Sequence, residues 1–388
     1  MKTTIKLAVV GLGNMGSNHC RDINDLDNAE LTAVCDMDKE RSESLAREYG
    51  CVSYTSAEEM MDSCELDGII IATPHFDHLP LSGAAFKRGI HVLTEKPVGV
   101  HVKDVNAMIK AWNDGQKNNK NLIFAAMFQQ RTLGIAKKIK ELLDTGELGK
   151  LIRTTWIITD WYRTQAYFNS GGWRATWKGE GGGVLMNQCP HQLDMYQWFV
   201  GCPDRVFGMV SLGKYHDIEV EDEVTAYFEY DNGMVGHFIT STGEAPGSNR
   251  LEIVGEFGKL IWEADKLIFH KNTISLLNHM ATAEGGFEQP ECTVSEIAVS
   301  EKGGEHQLII QNFCNSILGK EKLIAPAEEG LHSIAMNNAI MLSSFEKRYI
   351  EIPADENLFA EKLKDLQDKS GTVKKKVVET KDDFNKSF

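Results

Sequence analysis

Two short stretches combine residue types and spacing that could do chemistry. One is Glu95-Lys96-Pro97, which ends the apolar run Ile90-His91-Val92-Leu93. Pro97 biases Lys96 away from helical conformation, so the ammonium group stands at a strand end, held by the chain. Such a lysine can orient a substrate hydroxyl or share its proton, and in a crevice it is open to a lowered pKa. The other is Asn187-Gln188-Cys189-Pro190-His191-Gln192-Leu193-Asp194, which follows Gly181, Gly182 and Gly183. Proline is tolerated only in the first turn of a helix, so Asn187 is predicted to be the N-cap with Pro190 at the third helical position. His191 and Asp194, three residues apart, then share a face. Asp194 can accept a hydrogen bond from one ring nitrogen of His191 and leave the other free as a base. From spacing alone, a surface lysine and a capped core helix with a satisfied histidine fit these stretches equally well.

The elements that must position these groups are read from their neighbours. Ile5 to Val10 is an apolar run that reads as a buried strand, and Asn18 to Ile23 can open a helix. Between them lies Gly11-Leu12-Gly13-Asn14-Met15-Gly16. Strand, G-x-G-x-x-G, helix is the recipe for holding a dinucleotide pyrophosphate: a tight turn, close backbone approach, and free N–H groups at a helix start. The next apolar run, Leu31 to Cys35, ends in Asp36 and Met37. An acid about twenty residues past the last glycine is placed to bind the ribose of NAD. Lys39 and Arg41 leave NADP open as a second cofactor.

Strand and helix signals then alternate over the first ~130 residues, which predicts a doubly wound parallel sheet. Ligands in such sheets lie beyond the carboxyl ends of the strands. Ala72-Thr73-Pro74-His75, His78 and Glu95-Lys96-Pro97 all fall there, so His75 and His78 are read as cofactor wall and not as metal ligands. From about Gln129 the pattern changes. Leu151 to Trp161 is a long strand candidate, and apolar/polar alternation runs from Arg205 to His270 with the hairpin signal Asp231-Asn232-Gly233. This predicts an antiparallel sheet with one face solvated or covered by a partner. Trp161, Tyr162, Arg163 and Gln165 form a polar-aromatic cluster suited to a sugar, and Trp173-Arg174 could supply a planar lid and a guanidinium. Such aromatics fit domain-edge packing as well. The acidic run His216 to Glu223 is read as a solvated strand face and not as a metal site. The expected organisation is residues 1–128, 129–353 and a charged tail, 354–388, frayed or docked on the surface.

Composition bounds the function. The 388 residues carry a net charge of −15, which argues against nucleic acid or an anionic membrane as general partner. No apolar run is long enough to span a bilayer, and the chain enters its first strand with no room for a signal peptide. Eight cysteines lie scattered without C-x-x-C or zinc-like pairing, as expected of free thiols in a reducing cytoplasm. Hydrolysis through a serine or cysteine nucleophile has no motif here.

Taken in order, G-x-G-x-x-G, Ala72-Thr73-Pro74 with His78, Glu95-Lys96-Pro97, Trp173-Arg174, the three glycines and His191/Asp194 resemble one family. It is that of glucose–fructose oxidoreductase, inositol 2-dehydrogenase and rhizopine-catabolism proteins (Gfo/Idh/MocA), and the resemblance runs from Ile5 to about Ile352. It implies an α/β protein: an N-terminal Rossmann domain and a C-terminal α/β domain with an open, mostly antiparallel sheet, commonly a dimer or tetramer interface. It implies hydride transfer between NAD(P) and a sugar or polyol carbon. By the same resemblance Lys96 positions substrate and assists proton transfer, and His191 is the acid/base. Asp194 orients His191 or binds a hydroxyl, while Trp173 and Arg174 lie near cofactor or substrate. Trp161, Tyr162, Gln165, Arg174 and Asn187 are the expected substrate contacts beside Lys96 and His191. Two positions depart from the pattern: Asn187 stands where Asp is frequent, and His75 where Asn is usual. Some relatives use bound NAD for transient oxidation in glycoside cleavage, and a catalytically silent sensor is a further alternative.

Overall fold

A computed structural model describes residues 3–371. Residues 372–388 of the expected charged tail lie outside them. The first half alternates as expected: β1 (Ile5–Val10), α1 (Asn14–Asn24), β2 (Ala29–Cys35), α2 (Lys39–Tyr49), β3 (Val52–Tyr54), α3 (Ala57–Ser63), β4 (Gly68–Ile71), α4 (His78–Lys87), β5 (His91–Thr94), α5 (Val102–Gly115) and β6 (Phe124–Ala126). The six strands form one parallel sheet in the order β3-β2-β1-β4-β5-β6. Its central strands are buried on both faces, which is why they read as unbroken Ile/Val runs. The order reverses between β1 and β4, so the turns after Val10 and Ile71 lie side by side at the crevice of the sheet.

The chain continues with α6 (Gly134–Asp144), β7 (Leu151–Ile158), α7 (Gln165–Asn169), α8 (Pro190–Val200), β8 (Arg205–Leu212), β9 (Glu221–Glu229), β10 (Val235–Ser241), β11 (Asn249–Gly255), β12 (Gly258–Glu263), β13 (Lys266–Asn272), α9 (Leu276–Thr282), β14 (Cys292–Glu296), α10 (His306–Ile317), α11 (Gly330–Glu346), β15 (Ile350–Glu351) and α12 (Glu356–Lys369). Nine of these strands form a second sheet, antiparallel except where β10 runs parallel to β7. Trp156, Phe228 and Phe238 point to its buried face, and Ser343 and Ser344 of α11 accept hydrogen bonds from Gly208 and Val210 of β8. Along β9 every second residue is buried, as the alternation predicts.

The chain forms two compact units that draw on interleaved stretches of sequence. The two compact units are 1–141, 190–199 and 299–335, and 142–189, 200–298 and 336–388. The first therefore takes back α8 and the segment carrying α10. The physical cause is visible at the sheet edge: the Ala126 amide on β6 donates to the Ala325 carbonyl, and Ala125 bridges Pro326. An edge strand that would stay open is covered by chain from far downstream. The tail expected from residue 354 begins as a helix. Phe359 and Leu363 of α12 are buried, and Gln367 donates to the Trp177 carbonyl within the second unit. No helix among the described residues is long and apolar enough to cross a membrane.

Candidate active site

The first unit holds the glycine turn, Lys96 and His191 together. Gly11 adopts φ +87°, and a Cβ there would meet Ala72 O at 2.7 Å. A Cβ on Gly16 would meet Gly11 O at 1.8 Å, whereas one on Gly13 would meet nothing within 4 Å. Two glycines thus close the turn and the third leaves it open. Gly13 is also the N-cap of α1 with no side-chain cap, so the first amides of the helix are left for an anion. Thr73 Oγ1, in the neighbouring turn, is buried without a hydrogen-bond partner. An open glycine, uncapped helix amides and an orphaned hydroxyl fit a dinucleotide.

Asp36 ends β2 as expected, but its carboxylate is already engaged. Oδ2 accepts from the Leu12 amide at 2.7 Å and from Arg41 at 3.2 Å, and Oδ1 accepts from the Asp38 amide at 2.8 Å. It braces the glycine turn. Met37 beside it is 92% exposed. His75 is buried, with its ring 6.1 Å from that of His78. His78 is fully buried, with ring nitrogens 2.9 Å from Pro97 O and 3.1 Å from Thr73 O. It ties the two crevice turns together and does not form an exposed wall. Burial holds its pKa below the usual range, against the pull of those carbonyls.

His191 lies in the first turn of α8, 3% exposed and edge-on to Phe128, with ring centroids 6.3 Å apart. Neither ring nitrogen has a hydrogen-bond partner. Burial first, then the charges of Lys96 and His306, hold its pKa well below the ordinary value, so the ring is neutral at pH 7. The expected Asp194–His191 hydrogen bond is absent. Arg131, which the sequence reading passed over, takes the Asp194 carboxylate in two bonds of 2.7 and 2.6 Å and also reaches Glu329 at 2.5 Å. A buried guanidinium outcompetes an imidazole for a carboxylate because it satisfies both oxygens at once. Asn187 is likewise not the N-cap. The helix begins at Pro190, which therefore occupies the first helical position.

Lys96 is half-buried. Its amide donates to Oε2 of Glu95 at 3.1 Å, while Oε1 of Glu95 lies 2.7 Å from Nε2 of His19. The Glu95 side chain, expected among the cofactor contacts, thus points inward to a histidine of α1. Burial pushes its carboxyl up, but His19, with His306 and Lys96, outweighs burial and holds it at about 2. His19 and His306 were not singled out in the sequence. A histidine three residues past a glycine turn and another opening a late helix give no signal until the fold places their rings 5.7 Å apart.

The second unit carries the aromatic cluster. Arg174 lies over the rings of Tyr167 and Trp173 at 4.7 and 4.9 Å and donates to Tyr167 Oη at 2.9 Å. Arg163 stacks on Trp161 and Tyr167; Trp161 Nε1 is buried without a partner, and Tyr162 is 49% exposed. The Gln165 side-chain amide bonds the backbone of Asp217 in both directions, at 2.8 and 3.3 Å. Asn187 donates to Glu180, itself buried and holding the Ala175 amide at 2.6 Å. The acidic run is not a solvated face throughout. Glu221 is buried and accepts from the Gly183 and Leu185 amides, and Asp222 caps the turn at Lys214, Tyr215 and His216. Burial pushes Glu221 up to about 7. No group of three or more His, Cys, Asp or Glu among the described residues could hold a metal.

Comparison with known proteins agrees with this geometry. Residues 5–119 match the oxidoreductase family with an NAD-binding Rossmann fold, and 136–261 match the GFO/IDH/MocA C-terminal domain. The chain belongs to the GFO/IDH/MocA oxidoreductase family. It is 28% identical over 200 residues to the 2,7-anhydro-N-acetylneuraminate hydratase of Escherichia coli (strain K12), covering 51% of this chain and 50% of that one. It therefore spans about half the length of that relative. With the scyllo-inositol 2-dehydrogenase (NAD(+)) of Bacillus subtilis (strain 168) it shares 25% over 270 residues, 67% of this chain and 74% of the relative. The solved structure of the WlbA dehydrogenase of Bordetella pertussis with NADH and UDP-GlcNAcA has the same fold. Its TM-score is 0.75 at 24% identity, over 91% of this chain and all of that one. A levoglucosan dehydrogenase with NADH and levoglucosan gives 0.74 at 20%, over 90% and 100%.

Proposed function

We propose that the protein is an NAD-dependent dehydrogenase of a cyclic sugar, sugar derivative or inositol-like polyol, with Lys96 and His191 handling the proton. The observation that carries this reading is a buried, neutral, unpartnered His191 in the same compact unit as Lys96 and the Gly11–Gly16 turn. NAD, when bound, supplies the hydride acceptor. The open Gly13 and the free amides of α1 hold its pyrophosphate, and Asp36 its ribose. Lys96 donates a hydrogen bond to the reacting oxygen and stabilises negative charge as it develops. His191 accepts the hydroxyl proton on a ring nitrogen. In the reverse direction the protonated ring returns it. Asp194 is a positioning residue here, since its oxygens are taken by Arg131.

Trp161, Tyr162, Arg174 and Asn187 in the second unit are the sugar contacts that the family resemblance implies. Sugars are bound by stacking on aromatic faces and by planar donors, and this group has both. Arg41 against Asp36 softens the preference for NAD and leaves NADP as a weaker second cofactor. We also infer self-association as a dimer or tetramer. The outer face of the second sheet carries Phe207, Met209, Tyr227 and Ile239 in alternation. Its test is the mass in solution.

A panel of sugars, anhydrosugars and inositols, with NAD and NADP in parallel and absorbance followed at the reduced-cofactor band, tests the function. NADH formation with one class is the expected result. Tight NADH binding with a blank panel, and no bond cleavage in an anhydrosugar or aryl glycoside, would leave a sensor.

A further inference from the structure

The first unit buries more titratable groups near Lys96 than proton handling needs. Glu95 is the carboxylate among them, and its two oxygens have different jobs. Oε2 accepts the Lys96 amide at 3.1 Å, while the Glu95 amide is fixed on the Ile71 carbonyl at 2.8 Å. Oε1 is held at 2.7 Å by Nε2 of His19, whose other ring nitrogen is buried without a partner. With a carboxylate as its partner, Nε2–H is the donor in that bond. His306, at the start of α10, brings its ring to 5.7 Å from that of His19. The groups that face Glu95 are therefore His19 from α1, His78 from α4, His306 from α10 and Lys96 from its own segment. Those that face His191 are Lys96, His306 and Glu95.

We propose that Glu95, clamped by His19 and flanked by His306, is the positioning residue that sets the orientation of Lys96 and the charge felt by His191. The proposal rests on the reading of Lys96 and His191 given above. Two physical reasons support it. A carboxylate that grips the amide of its own successor fixes the turn from which the lysine side chain departs. An ammonium in a poorly solvated site also needs a nearby anion, and without one its field falls entirely on the adjacent imidazole. Glu95 supplies that anion, and the direction of its effect on His191 is upward, opposed to Lys96 and His306. His19 acts through Glu95 by holding its orientation, whereas His306 acts on His191 directly and in the opposite sense to Glu95.

The test uses Glu95→Gln, which keeps the shape and the acceptor for His19 but removes the charge, with Glu95→Asp as the charge-retaining control. The first readout is independent of turnover: the titration of the His191 ring followed by NMR in histidine-labelled protein, assigned with His191→Gln. The expected result is a His191 titration displaced to lower pH in Glu95→Gln and nearer the wild type in Glu95→Asp. NADH affinity stays within about twofold, and kcat falls about 10- to 100-fold more than KM changes. The acid limb of the kcat/KM profile moves with the His191 titration. His306→Phe should displace the His191 titration upward, and serves if Glu95→Gln does not fold. A His191 titration unmoved in Glu95→Gln overturns the proposal, as does one unmoved in His306→Phe where Glu95→Gln does not fold. An enzyme that oxidises nothing in the panel but shows the displacement would fault the reaction and leave the array standing.

Discussion

Arg131 and Asp194 meet through two parallel bonds of 2.7 and 2.6 Å with both side chains 1% exposed. This pair fastens α8, and so His191, to the segment that follows β6. Glu329 and the Ile324 carbonyl complete the guanidinium's contacts, and the rings of Phe128 and Trp198 lie about it at 5.6 and 5.5 Å. Burial pushes the Asp194 carboxyl up and Arg131 pulls it back, while the two carboxylates keep Arg131 cationic. Removing Asp194 leaves the buried guanidinium with the half-exposed Glu329 as its remaining carboxylate partner. Asp194→Asn should therefore lose about 3–5 kcal/mol of stability in urea unfolding. Its kcat/KM profile should keep the wild-type pH dependence, because Asp194 does not touch His191. A displaced profile at full stability would restore Asp194 as the imidazole's partner.

Lys96→Met and His191→Asn should each lower turnover by ~10²-fold or more, with NADH affinity largely kept. Stopped-flow hydride transfer and NADH fluorescence titration separate the two quantities. Near-normal hydride transfer in either variant would remove that residue from the chemistry.

The glycine turn makes a contrast between neighbours. Gly16→Ala forces a Cβ onto the Gly11 carbonyl at 1.8 Å, so the turn must shift and the thermal midpoint should drop. Gly13→Ala meets no protein atom within 4 Å. It should melt like the wild type yet bind NADH at least about tenfold more weakly, a cost of ~1.4 kcal/mol. Wild-type affinity in Gly13→Ala would mean that the phosphates do not approach there.

Stability should respond to pH with opposite signs at two buried sites. His306 is held at about 4 against 6.5 when unfolded, so its contribution is present above 6.5 and is lost as pH falls toward 4. Glu221 is raised to about 7 from 4.5, so its contribution is present below 4.5 and fades as pH rises to about 7. In denaturant unfolding, the wild-type margin over His306→Phe should shrink from pH 8 to pH 5. The margin over Glu221→Gln should shrink from pH 5 to pH 8. A margin that changes in the opposite direction to that stated would contradict the assignment at that site.

What the sequence made legible follows the range of the interactions. Gly11, Gly13, Gly16 and Asp36 lie within one strand–turn–helix–strand unit, so their spacing could be read from sequence alone. The alternation along β9 was readable because burial there has period two. Asp194 was misread because its nearest candidate in sequence, His191, was not its nearest in space. Arg131 lies 63 residues away and Glu329 a further stretch downstream. His19 and His306 were invisible for the same reason. Asn187 was placed as a cap because cap propensity is local, whereas the buried carboxylate of Glu180 that takes its amide group is set by the fold around residues 175–187.

The bond from Ala126 to Ala325 also bears on how the chain is made. The nucleotide-binding sheet has all six strands once residue 126 has been synthesised, but the main chain that pairs with β6 comes about two hundred residues later. During synthesis the Rossmann sheet must wait with an unpaired, apolar edge until nearly the whole polypeptide has emerged. Closure of that edge is a long-loop event, so it belongs to the slow part of folding. Half-made chains, and fragments cut near residue 128, would carry a sticky margin that the finished protein hides with its own late segment.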